Sequence, residues 1–149
     1  MNCLLKAAQQ LTGINAKAIV LHIGRGSVET AYHIQEVQDA LWILDKYALE
    51  CVQLYPCVRA GVPIWPTMEC LGRFEDRIYR REGIITGQTD SGIPHAVYWT
   101  GERVVDEIVE SLEAFNIKEA YLGIKSKFIL DYTYFADYTY IAVYSHFRR

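Results

Sequence analysis

Pro94-His95-Ala96-Val97-Tyr98-Trp99-Thr100-Gly101-Glu102-Arg103-Val104-Val105-Asp106 is the stretch from which the fold can be read. His95 to Trp99 is rich in strand-forming residues, Thr100-Gly101-Glu102 is a turn, and Arg103 to Asp106 runs back. Two antiparallel strands around a tight turn are predicted. A hairpin of that length brings its ends side by side, so His95 and Asp106, 11 positions apart, are expected in neighbouring strands.

Outward from this hairpin, Glu82 to Gln88 reads as a further strand through Ile84 and Ile85, joined to it by the turn-rich Thr89-Asp90-Ser91-Gly92-Ile93-Pro94. On the other side, Ile108, Val109, Leu112 and Phe115 predict a helix ending near Asn116, and Glu119 to Lys125 alternates as a strand. Asp106 then doubles as a helix N-cap. The tail carries Asp131-Tyr132-Thr133-Tyr134 and again Asp137-Tyr138-Thr139-Tyr140, with strand-like alternation from Tyr138 to Phe147. So aromatic a face is a candidate surface for pairing two copies of the chain into a homodimer.

Toward the N-terminus, Ala18 to Leu21 is an apolar run short enough to be a strand or the end of a helix, with helix then loop the preferred reading before Gly24-Arg25-Gly26. Ile34, Val37, Ala40, Leu41 and Leu44 form one face of an amphipathic helix reaching about Tyr47. His33 and Glu36 have the spacing of a metal pair, but with no second pair nearby His33 is read as a cap or surface residue. Glu50 to Tyr55 is a strand closed by Pro56. Gly61 to Arg73 is the least regular segment, a loop with at most a helical turn over Thr67 to Leu71, and its Trp65 is a candidate to rim a cleft, as is Trp99.

The first residues complete the picture. Asn2 is a good N-cap, Leu4, Ala7, Ala8 and Leu11 recur at helical spacing, and Thr12-Gly13 is a stop. Cys3 therefore opens a helix, where unpaired backbone N–H groups and the helix dipole favour a thiolate. It is read either as a small residue buried for packing or as a nucleophile. Helices on a mainly antiparallel sheet make the expected class α+β, in one domain over residues 1–149.

Composition narrows the function. The net charge of −3 and the lack of a basic face argue against nucleic acid as a partner. No apolar run approaches the roughly twenty residues of a membrane span, and the first residues lack a secretion pattern, so a cytoplasmic protein is expected. The four cysteines, Cys3, Cys51, Cys57 and Cys70, are then expected as free thiols, and their spacing fits no zinc site. No metal and no cofactor is called for.

A cysteine nucleophile needs a base, a group that orients the base, and donors for the oxyanion formed on attack. Cys3 is the candidate nucleophile, His95 the base and Asp106 the group that orients it. A cysteine opening the first helix, then a long middle, then Gly92-Ile93-Pro94-His95-Ala96-Val97 with Gly101, Val105 and Asp106 resembles the papain-like cysteine peptidase superfamily, particularly its small bacterial and phage members. The resemblance implies a papain-like fold in which the nucleophile helix packs on the sheet. It also implies a Cys3, His95, Asp106 triad and a location in bacterial or phage-infected cytosol. The family typically places an oxyanion-hole Gln or Asn several residues before the cysteine; here only Met1 and Asn2 precede it, so that role falls to Asn2 or Gln88 beside the Cys3 backbone N–H. Expected activity is cleavage of a peptide, isopeptide or amide bond in a protein or peptide substrate through a thioester. The same triad also suits a transglutaminase-like acyltransferase, and a non-catalytic papain-fold binding module gripping its partner through Trp65 is the third option.

Overall fold

The computed structural model describes residues 1–55, 57–64 and 68–125. In chain order the described elements are helices α1 (Cys3–Thr12), α2 (Ala16–Ile23) and α3 (Ile34–Asp45), strands β1 (Tyr47–Gln53), β2 (Cys57–Arg59) and β3 (Val62–Ile64), and helix α4 (Met68–Ile78). Strands β4 (Gly83–Gln88), β5 (Pro94–Trp99), β6 (Val104–Val105) and β7 (Asn116–Lys125) follow. The main sheet has five strands in the order β1-β7-β4-β5-β6, and every neighbouring pair is antiparallel. The class is α+β.

Strand alternation gives this sheet two buried faces. Tyr47, Leu49, Ile84, Ala96 and Tyr121 join one core with α1, α2 and α3. Val52, Ile85, Val97, Trp99, Ala120 and Leu122 join a second core with Cys70, Phe74 and Ile78 of α4. The adjacent pairs Ile84/Ile85 and Tyr121/Leu122 each divide between the two cores.

Helix α1 forms for local reasons. The Asn2 side chain accepts the Leu4 N–H at 3.0 Å, satisfying one donor of the first turn, and the helix ends at Gly13. Its apolar face buries Leu4, Leu5, Ala7, Ala8 and Leu11. A fully buried leucine such as Leu5 contributes about 1.5–3 kcal/mol. Ala7, Ala8 and Ala96 are small and buried in the same core, which lets the helix lie close on β5.

The 94–106 hairpin is present, with Tyr98 opposite Val105 and Trp99 opposite Val104. Gly101 turns it at φ 103°, a conformation L side chains rarely adopt, and its carbonyl accepts the Arg80 N–H at 2.6 Å. The helix expected over Ile108 to Phe115 is corrected: the segment is irregular apart from a single 3-10 turn at Leu112–Ala114. Val109, Leu112 and Phe115 are buried in the second core, so their three-residue spacing reflects turns laid on the sheet.

Other boundaries move too. The first strand begins at Tyr47, not Glu50, because β1 pairs with β7 from Tyr47 opposite Lys125 to Gln53 opposite Glu119. The expected loop after Gly61 contains β3, paired with β2, and then an eleven-residue helix, α4, instead of a single turn. Among the described residues no helix is long and apolar enough to cross a membrane. The tyrosine-rich tail, with its expected strand and dimer surface, lies outside the described residues.

Candidate functional site

At the end of the sheet where β5 begins, the first turn of α1, the segment Ala31 to Ile34 and the strand ends enclose a cleft of about 740 Å³. Cys3 and His95 both line it. Cys3 arrives there because the Asn2 cap starts the helix at that position, and the Asn2 N–H is tied to the Val28 carbonyl at 2.7 Å. As the first residue of α1, Cys3 has a backbone N–H with no acceptor inside the helix, a donor of the first turn.

His95 stands at the open end of β5. Alternation turns Ala96 toward α1, and Val97 and Trp99 toward α4; His95 itself lines the cleft while its ring meets Phe115 edge to face, centroids 6.2 Å apart. The hairpin returns Asp106 to it. His95 Nε2 lies 2.9 Å from Asp106 Oδ2, and both side chains are 11% exposed.

The same carboxylate oxygen accepts the N–H groups of Ile108 and Val109, each at 2.9 Å. Burial pushes the Asp106 carboxyl up, but the Val109 N–H, the His95 ring and the Ile108 N–H outweigh it and hold it below its ordinary value. An ionised Asp106 is acceptor only, so the hydrogen between the two lies on His95 Nε2, and Nδ1 is the ring nitrogen not committed to Asp106. Asp106 is thus both the partner of His95 and the cap of the turn after it.

The oxyanion candidates differ in what they have left. Asn2 lines the cleft with its carbonyl oxygen committed to Leu4, leaving its amide hydrogens as donors, whereas Gln88 is an exposed residue of the cleft wall. Trp99 is corrected: it does not line the cleft but is 4% exposed in the second core, its Nε1 donating to the Ile78 carbonyl at 3.1 Å. Strand parity puts it there, on the face with Val97. Trp65 lies outside the described residues.

No family model, curated protein or solved structure matches this chain. What the cleft can do follows from its own side chains. His33 lines it as the N-cap of α3; its N–H is bound by Glu36, whose carboxylate also holds Arg25 at 2.7 Å. Among the described residues no group of three or more His, Cys, Asp or Glu side chains is placed to hold a metal ion.

Sequence reasoning missed Thr86, Lys118, Glu119 and Tyr121, which also line the cleft. Alternation in 119–125 sets Tyr121 apart from Ala120 and Leu122. That β7 lies between β1 and β4 is visible only in three dimensions.

Proposed function

We propose that this chain is a papain-like thiol hydrolase of a peptide, isopeptide or amide bond, with Cys3 as nucleophile, His95 as general base and acid, and Asp106 orienting His95. The observation that carries this reading is the 2.9 Å contact of His95 Nε2 with Asp106 in a cleft that Cys3 also lines. It commits Nε2 and frees Nδ1 for proton transfer.

In the proposed reaction Cys3 Sγ bonds to the substrate carbonyl carbon as its proton passes to His95 Nδ1. The developing oxyanion is met by the Cys3 N–H together with Asn2 or Gln88. Collapse of the adduct breaks the C–N bond, and His95 returns the proton to the departing amine. Water then attacks the thioester, giving up a proton to His95, and the carboxylic acid leaves as the thiol is restored. An N-terminal helix lying on an antiparallel sheet, with the hairpin at the open end, agrees with the papain-like resemblance.

The test is alkylation of Cys3 by iodoacetamide near pH 7, mapped by mass spectrometry, in the wild-type protein and in His95→Ala. A base acts by raising the thiolate fraction, so the rate is expected to fall by about tenfold or more in the variant. Equal rates in both folded proteins would refute the reading.

A further inference from the structure

Strand β7 departs from regular pairing at one place. Thr86 pairs with Glu119 but Gly87 pairs with Ile117, so Lys118 is the extra residue of a β-bulge. In an unbroken strand residues 117 and 119 would share a face. The bulge turns Ile117 to the second core, where it still borders the cleft, and leaves Glu119 on the face of Tyr121 in the cleft. Gly87 permits this, because a Cβ there would stand 2.2 Å from the Asn116 carbonyl oxygen.

Among the described residues lining the cleft, Glu119 is the one carboxylate. It is half-buried, and both oxygens are held by neutral donors: Oε1 by the Tyr121 hydroxyl and Oε2 by the Cys51 thiol at 3.5 Å. Burial first, and then the carboxylate itself, keeps those donors protonated: the Cys51 thiol is pushed up to about 11, and burial likewise raises the Tyr121 phenol. Among the described residues no Lys, Arg or His lies within ion-pair distance of Glu119; Lys118 and His33 line the cleft without pairing with it. A carboxylate has about four lone-pair sites, so two neutral donors leave its charge and further acceptor capacity free.

We infer that Glu119 is the specificity residue of the cleft, an anionic subsite that takes an ammonium group of the substrate. This rests on the proposed thiol chemistry and adds the substrate class: an amide or peptide carrying a free α-amine or a lysine-type side chain beside the bond attacked. Neutral and acidic substrates gain nothing from the subsite.

The test uses chloromethyl ketones, in which the Cys3 sulfur displaces chloride as the C–S bond forms. Alanine chloromethyl ketone is compared with its N-acetyl form, and Nα-acetyl-lysine chloromethyl ketone with its Nε-acetyl form, in a Cys51→Ser background that keeps a hydroxyl donor for Glu119. The cationic member of at least one pair is expected to modify Cys3 about tenfold faster than its acetylated twin, an electrostatic preference of ordinary size. The pair that responds identifies the source of the amine. The preference is expected to fall to about twofold or less in Glu119→Gln, which keeps a carbonyl for Tyr121, and to shrink as salt rises from about 0.05 to 0.5 M. No preference in either pair, a preference that survives Glu119→Gln, or, if that variant does not fold, one indifferent to salt, overturns the subsite while leaving the thiol reading intact. A Cys3 that resists all four probes and iodoacetamide alike overturns the thiol reading and the subsite with it.

Discussion

Asp106 Oδ2 lies 2.9 Å from His95 Nε2 and at the same distance from the backbone nitrogens of Ile108 and Val109. One oxygen therefore joins the start of β5 to the turn that follows β6. The imidazole and the first residues of the 106–115 segment are held by the same acceptor.

Asp106→Asn tests that coupling. The amide can still accept the two backbone N–H groups but carries no charge, so a loss of about 1.5–3 kcal/mol is expected at pH 7. Folding lowers the Asp106 pKa below its ordinary 3.8, so the unfolded chain binds the proton more readily and the carboxylate stabilises the fold fully above that value. The contribution is lost as pH falls through the folded-state value. Urea unfolding from pH 7 down to pH 2 should show wild-type and variant converging in acid; a constant gap would place the effect elsewhere.

Cys51 should be the unreactive thiol of the cleft region despite its exposure. Its pKa is raised to about 11, by burial first and by the Glu119 charge second, so at pH 7 almost all of it is thiol. Its iodoacetamide rate should climb roughly tenfold per pH unit from pH 7 to pH 10. A Cys51 rate at pH 7 matching that of free cysteine would contradict the contact with Glu119.

Gly87→Ala should loosen the bulge. The added methyl meets the Asn116 carbonyl oxygen at 2.2 Å and backbone cannot rotate away, so β4 and β7 must separate locally. A cost of about 1–3 kcal/mol is expected from the denaturation midpoint, together with faster hydrogen exchange at Ile117 and Glu119. A variant as stable as the wild type, with unchanged exchange, would mean that the strands do not pair this way.

Trp99→Phe separates a core role from a cleft role. It removes the indole N–H that binds the Ile78 carbonyl and leaves a smaller ring in the second core, so stability should fall by about 1–3 kcal/mol. Alkylation of Cys3 in the folded variant should not change. A selective loss of Cys3 reactivity at unchanged stability would restore Trp99 to the cleft.

The sequence by itself determined the elements whose signals are local. Asn2, the spacing of Leu4, Ala8 and Leu11, and Gly13 delimit α1 because caps and a 3.6-residue period act within a few turns. The strand-turn-strand pattern of 94–106 brought His95 and Asp106 together for the same reason, since a tight turn sets its two arms side by side.

Only the tertiary structure decided what depends on residues far apart. Strand order, the start of β1 at Tyr47 and the burial of Trp99 follow from which strands pair and which core each face meets. The 108–115 segment had a helix-like spacing, yet packing on the sheet satisfied its apolar residues without a helix. Ile117 leaves the face of Glu119 only because β7 bulges against Gly87, and a one-residue change of register is invisible until the partner strand is known. Period and capping are properties of a short stretch of chain; register and side-chain company are properties of the folded whole.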